Sequence, residues 1–190
     1  MKVLGLVGEK GSGKQTFVNF LKEIASSKTP RNDGREIVVR QVRFSDILAQ
    51  TLILWDIALT RPNLQNLSII MNETFGAKAL ANAAKFSIEG DSANIIILDG
   101  IRRKAEFELV KQLNGTIIYI TAKQDLRYKR LKARSEKVGE KGLTFEQFLK
   151  EESSKAESEI PKLSKKADIK LLNNDSKEDF KNKIKQIQLA

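Results

Sequence analysis

Val3-Leu4-Gly5-Leu6-Val7-Gly8-Glu9-Lys10-Gly11-Ser12-Gly13-Lys14-Gln15-Thr16 is the stretch that decides the architecture. Its first five residues form a β-rich apolar run that reads as a buried strand. Gly8 to Lys14 match the spacing G-x-x-x-x-G-K, and from Lys14 to Ala25 the residues Phe17, Val18, Leu21 and Ile24 recur at helical intervals. A strand, a glycine turn and a helix in that order make a cradle for phosphate. The glycines let successive backbone N–H groups converge on phosphate oxygens, and the helix N-terminus adds positive potential. Lys14 supplies a point charge to the β- and γ-phosphates of a nucleotide. Gly8, Gly11, Ser12, Gly13, Lys14, Gln15 and Thr16 are thus the candidate ATP-binding residues. The hydroxyl residue expected directly after the lysine is Gln15, so Thr16, one place on, is the nearest candidate for a magnesium ligand.

Outward from this stretch, short apolar runs alternate with longer helical patterns. Residues 37–44, Ile95-Ile96-Ile97-Leu98, Ile117-Ile118-Tyr119-Ile120 and the weaker Ile169-Lys170-Leu171-Leu172 read as four further strands. Helical spacing fills 46–58, 63–87, 104–113, 124–135, 145–159 and 177–188. Continuous Ile/Val runs suit strands covered on both faces, hence a parallel sheet between helices in one α/β domain. Residues 29–34 read as a plain loop, and 135–144 as a mobile one.

Composition narrows the chemistry. The 190 residues include no cysteine and no histidine, which removes zinc fingers, Cys/His metal cages, Ser-His-Asp triads, thiol nucleophiles and histidine proton shuttles. Acid–base work falls to carboxylates, lysine or tyrosine. No apolar run approaches the roughly 18 residues of a membrane span, and Met1 to Val7 lack the form of a signal peptide, so a cytoplasmic location is expected. The formal charge is +10, and half of it falls between Lys123 and Arg134, where six cations accompany one anion. Such a run is a solvated basic helix or a surface for anions. It offers only Tyr128 as a stacking platform for bases, which argues against nucleic acid as the partner.

Gly-Lys-x-Thr, with the hydroxyl displaced by one, resembles the loop of adenylate kinases and phage-type deoxynucleoside monophosphate kinases. The resemblance to this nucleoside monophosphate kinase superfamily of P-loop kinases spans most of the chain in element order. It implies a three-layer fold with a five-stranded parallel sheet of order 2-3-1-4-5, an acceptor-binding helical region at about 45–90 and a small lid at about 130–158. Leu98-Asp99-Gly100-Ile101-Arg102-Arg103 has the form of a Walker B element, placing Asp99 to serve magnesium or orient an acceptor. The segment is similar to the Leu-Asp-Gly-Phe-Pro-Arg of adenylate kinases, which selects Arg103 as the acceptor-phosphate clamp. It is also similar to the Asp-Gly-Ile-Arg of dephospho-CoA-kinase-like proteins, which selects Arg102, the favoured choice. A guanidinium suits the task because its fixed fork binds two phosphate oxygens at once.

Further likenesses extend the site. Phe44-Ser45-Asp46 resembles the strand-to-helix turn that walls the acceptor pocket in deoxynucleotide kinases, although Ser45 or Asp46 would equally serve as a helix cap. Arg61-Pro62-Asn63-Leu64-Gln65 looks like the Arg-x-x-Leu-Gln element of that group and would place Arg61 and Gln65 over the acceptor. Arg130 and Arg134 lie four apart on one helical face, like the arginine pair that opens the adenylate kinase lid and meets the transferred phosphate. Leu143 to Leu149 restart a helix behind a Thr144–Gln147 capping box, expected as a structural arm. Asn173 follows the last strand, where such kinases enclose the nucleotide base.

The expected activity is phosphoryl transfer from ATP, with magnesium, to a small nucleotide-like acceptor, foremost a (deoxy)nucleoside monophosphate. A dephospho-CoA-kinase-like enzyme is the alternative, its hydroxyl acceptor calling on Asp46 or Asp99 as base. An NTPase or nucleic-acid-binding protein is the reading from another class.

Overall fold

The structure, a computed structural model, describes residues 1–27, 37–134, 142–155 and 157–187, and of Arg61 and Arg134 the backbone only. The loop read at 29–34 and all but the end of the one at 135–144 lie outside the described residues.

Five strands carry the fold: β1 (Lys2–Val7), β2 (Val39–Arg43), β3 (Ile95–Ile101), β4 (Thr116–Thr121) and β5 (Ile169–Leu172). They form one parallel sheet in the order β2-β3-β1-β4-β5, the order anticipated above. Among the described residues the helices are α1 (Lys14–Ser27), α2 (Phe44–Leu54), α3 (Arg61–Phe75), α4 (Ala79–Ile88), α5 (Lys104–Gln112), α6 (Gln124–Arg134), α7 (Phe145–Glu152), α8 (Ile160–Ser164) and α9 (Lys177–Lys185).

Side chains alternate along each strand, so a sheet covered on both faces needs apolar residues at every position. Leu4, Leu6, Ile97, Ile118 and Ile120 pack on one face against Phe17, Val18 and Leu21 of α1 and Phe180 and Ile184 of α9. Val3, Val7, Ile96, Leu98 and Ile117 pack on the other against Ala84 of α4, Val110 of α5 and Ile160 and Leu163 of α8. The three layers follow directly from the Ile/Val runs.

Local chemistry corrects several boundaries. The expected helix over 63–87 is two helices, because Gly76 takes a φ of 88° that a continuing helix cannot accommodate. The first of them, α3, starts earlier, with Pro62 in its first turn and the Thr60 hydroxyl accepting from the Asn63 amide at 3.3 Å. Neither Ser45 nor Asp46 caps α2. Arg43 is its N-cap residue and makes no side-chain cap bond, which leaves Asp46 in the first helical turn. The helix expected over 145–159 stops at Glu152, and Pro161 then opens the short α8. Its capping box is present: the Gln147 amide donates to the Thr144 hydroxyl at 3.2 Å, and the Thr144 amide to Gln147 Oε1 at 2.9 Å. No helix among the described residues is long and apolar enough to cross a membrane.

Asp168 closes the approach to β5. Its carboxylate accepts from Lys111 Nζ at 2.6 Å and from the Ile117 amide at 2.7 Å, joining α5, β4 and the start of β5. Desolvation pushes this carboxyl up, but the Lys111 ammonium and the Ile117 amide outweigh it and hold the group below its ordinary 3.8. A carboxylate whose folded-state pKa lies below its unfolded value stabilises the fold above the unfolded value, and that contribution is lost as pH falls through the folded-state pKa. The pair is partly exposed and screened, so Asp168→Asn is expected to cost roughly 0.5–1 kcal/mol at neutral pH. Thermal unfolding should show a loss of about 1–4 °C there, shrinking toward zero once the solution is more acidic than the carboxyl's folded-state pKa.

Candidate functional site

The parallel sheet brings the carboxyl ends of β1, β2, β3 and β4 to one edge, where open α/β sheets bind ligands. The loop from Gly8 to Gly13 leaves β1 at that edge and delivers Lys14 to the first turn of α1. Lys14 Nζ donates to the carbonyls of Gly8 at 2.6 Å and Glu9 at 3.0 Å, so the ammonium is folded back into its own loop. Burial lowers its pKa from the ordinary 10.5, with Asp99 opposing and Arg102 reinforcing that shift. An anionic ligand there would restore the favoured charge.

The loop is seated against three other elements. A Cβ on Gly8 would stand 2.2 Å from the Ile120 carbonyl oxygen, and one on Gly11 would stand 2.5 Å from the Arg127 carbonyl oxygen. Gly13, at a φ of 106°, has room only for hydrogen, since a Cβ would lie 2.1 Å from Asn173 Nδ2. That Asn173 amide donates to the Ser12 carbonyl at 2.9 Å, while the Asn173 backbone amide donates to Thr121 at 2.8 Å. Arg130 Nη2 completes the chain by donating to the Asn173 carbonyl at 2.9 Å. Desolvation lowers the Arg130 pKa from its ordinary value, and its Nη1 is buried without a partner. Ser12 is fully buried, its hydroxyl likewise without a partner. The residue anticipated at the base and the one anticipated at the lid thus meet each other behind the loop. The Arg134 side chain lies outside the described residues.

On the other flank, register sets Asp99 beside Leu6 in β1 and Arg43 in β2. Asp99 sits inside β3, which continues to Ile101 past Gly100, the residue skipped in the pairing with β1. Gln41 Nε2 donates to Asp99 Oδ2 at 2.7 Å and Arg43 Nε lies 3.7 Å from the same oxygen. Both residues also donate to Gln15 Oε1, so Gln15, Gln41, Arg43 and Asp99 form one network over the loop's end. Asp99 Oδ1 is buried and unpartnered. Thr16 is half-buried in the first turn of α1. Gln41 and Arg43 were not singled out from sequence. Their signal was there, as polar residues interrupting an otherwise apolar strand, but their meaning depends on β2 lying next to β3.

The remaining candidates are spread around this centre. Arg102 pairs with Glu157, whose side chain is only 6% exposed. Arg103 Nη2 instead reaches Ser68 of α3 at 3.1 Å, so the two adjacent arginines address different elements. Asp46 is largely exposed, 3.9 Å from Arg43. Gln65 is half-buried in α3; the Arg61 side chain lies outside the described residues. The stretch after the capping box is more than an arm. Glu151 binds Lys10 at 2.7 Å, and Glu152 binds Arg127, which is itself buried and donates to the carbonyls of Ala122 at 3.0 Å and Lys10 at 3.4 Å. The basic run of α6 therefore directs two of its arginines, Arg127 and Arg130, inward.

Asn173→Asp keeps the shape but replaces the donor facing the Ser12 carbonyl with an acceptor. The expected loss is about 1–3 kcal/mol. Thermal unfolding should register it as a drop of about 2–12 °C, with faster hydrogen exchange at the Ser12 and Gly13 amides.

No family model matches the chain. It is 28% identical over 189 residues to a UPF0200 protein of Sulfurisphaera tokodaii, covering 98% of this chain and 96% of that one. A UPF0200 protein of Saccharolobus solfataricus is 24% identical over 190 residues, covering 98% and 92%. Among solved structures, shikimate kinase from Bacteroides thetaiotaomicron superposes with a TM-score of 0.59 at 12% identity, covering 97% of this chain and 96% of that one. Shikimate kinase from Acinetobacter baumannii superposes with a TM-score of 0.55 at 16% identity, covering 100% and 96%. The chain has the three-layer fold of the P-loop kinases.

Proposed function

We propose that the protein is an ATP-dependent phosphotransferase acting on a small nucleotide-like acceptor. The observation that carries this reading is the glycine loop that leaves β1 at the carboxyl edge of the sheet and folds Lys14, in the first turn of α1, back onto its own carbonyls, with the buried Asp99 at the same edge. Phosphoryl transfer needs little covalent chemistry from the protein; positioning and charge stabilisation carry most of it. That suits a chain without histidine or cysteine. The loop amides and Lys14 hold the triphosphate, and Asn173 supports the loop from behind.

Thr16 and Asp99 are the residues that would hold magnesium, and the free buried Oδ1 of Asp99 fits a group awaiting a cation. Among the described residues no cluster of three or more carboxylates could hold a metal alone, so such an ion would share its coordination with phosphate oxygens. Bound there, magnesium would neutralise charge on the β- and γ-phosphates.

Arg102 and Arg103 line the acceptor side, with Gln65 and Asp46 beyond them. A (deoxy)nucleoside monophosphate is the acceptor that the family resemblance implies. Transfer to a hydroxyl, as in a dephospho-CoA-kinase-like enzyme, is favoured by one feature: Arg102 is already neutralised by Glu157.

A coupled assay of ADP release across nucleoside monophosphates, nucleosides, dephospho-CoA and small alcohols tests the reading. At least one class should stimulate release above background hydrolysis. Lys14→Ala should reduce that turnover by about 100-fold or more, the scale of losing one charge-stabilising donor. Unchanged turnover in Lys14→Ala, or no stimulation by any compound, would overturn it.

A further inference from the structure

A cavity of 170 Å³ lies between the tip of the phosphate loop, α6, α7 and α8, lined by Glu9, Lys10, Arg127, Glu152, Glu157 and Ile160 among others. Its charged walls are built into the fold: the Arg127 and Glu157 side chains are 8% and 6% exposed. The volume suits one small polar moiety and falls short of the few hundred Å³ typical of drug-sized ligands.

The cations in the described lining are already engaged. Lys10 binds Glu151 at 2.7 Å, and Arg127 is held by Glu152 and by two carbonyls. The carboxylates are engaged as well, with one exception. Glu157 takes Arg102, and Glu152 takes Arg127 and Gln124, the latter at 2.8 Å. Glu9 accepts from the Tyr119 phenol through Oε1, while its Oε2 is withdrawn from water and has no partner. Desolvation, with the Glu9 carboxylate second, pushes Tyr119 up to about 12, so the phenol stays a donor. A buried carboxylate oxygen without a donor is costly, and a ligand donor beside it removes that cost. Glu9 itself lines the cavity, and with Oε1 held by the Tyr119 phenol its Oε2 is the acceptor left open. What this place lacks is a hydrogen-bond donor, not a cation for phosphate.

Position gives the missing donor a chemical meaning. Glu9 belongs to the loop whose carbonyls hold Lys14, next to where the triphosphate would lie. We propose that this cavity receives the hydroxyl group of a neutral acceptor, and that Glu9 accepts its proton during transfer. The inference rests on the kinase reading above. The acceptor oxygen attacks the γ-phosphorus of ATP, the bond from that phosphorus to the bridging oxygen breaks, and ADP leaves. The hydroxyl proton passes to Glu9 Oε2 and then to water as the phosphomonoester departs. Tyr119 is a positioning residue that fixes the Glu9 carboxylate.

Glu9→Gln preserves shape and an oxygen for the Tyr119 phenol, while losing the proton acceptor. The test compares this variant with the wild type in three measurements. Calorimetric titration with ATP should give affinities within about threefold of each other, because the loop amides and Lys14 are intact. Single-turnover ATP cleavage with water, the smallest hydroxyl acceptor, should fall by about 100-fold or more in Glu9→Gln, the usual range for losing a general base. The acid-side decline of the wild-type rate should be missing in the variant. Phosphorus NMR of wild-type reactions with nucleosides and with nucleoside monophosphates should show phosphomonoesters as the new product. Tyr119→Phe should lose roughly fivefold to tenfold, one hydrogen bond's worth.

Formation of nucleoside diphosphate as the main product would overturn the proposal. So would cleavage in Glu9→Gln at the wild-type rate, or a wild type that releases phosphate to no hydroxyl, water included. A wild type that fails to bind ATP would instead defeat the kinase reading and this proposal with it. Intact ATP binding with an unaffected Glu9→Gln would defeat this proposal alone.

Discussion

Close approach of the loop backbone to its neighbours governs this site. The phosphate loop lies against the Ile120 carbonyl, the Arg127 carbonyl and the Asn173 amide, at separations that leave no space for a Cβ at Gly8, Gly11 or Gly13. Those contacts tie the loop to β4, α6 and the turn after β5 simultaneously. Because the loop cannot shift independently of these elements, its N–H groups are pre-set, and preorganised dipoles are what the proposed phosphate role requires. Asn173 is central here, one side chain and one backbone linking Ser12, Thr121 and Arg130.

Charge is managed by pairing. A net charge of +10 suggests cations presented to solvent. Here Lys10, Arg102 and Arg127 are instead held by Glu151, Glu157 and Glu152 around the loop. Pairs this close to a low-dielectric site resist screening and hold their partners in place, even where their net contribution to stability is small. The segment from α7 to α8 is thereby fastened to the loop tip and to the turn after β3. The surroundings of the loop tip thus have a carboxylate character that no count of positive residues would suggest.

The legibility of the molecule from sequence divides along the range of its interactions. The sheet with helices on both faces was readable because Ile/Val runs are short-range signals, and their continuity reports burial on both faces of a strand. The break at Gly76 was missed because helical spacing persists across it, whereas one backbone angle does not. Ser45 and Asp46 were read as able to cap α2 because they are good capping residues, yet the helix begins two residues earlier than expected, at the end of β2. Arg130 and Asn173 were legible as special residues, but not as partners of one another.

The sequence alone determined the strand–loop–helix unit, the position of Lys14 within it, the absence of histidine and thiol chemistry, and the carboxylate at Asp99. These depend on residue identity and local spacing. Only the tertiary structure decided that Gln41 and Arg43 face Asp99, that Arg102 is spent on Glu157 while Arg103 turns to Ser68, and that Glu9 keeps one oxygen free beside a small cavity. Each of those facts joins elements far apart in the chain. Strand order, register and helix ends set such meetings, and spacing along a sequence does not encode them until the sheet is assembled.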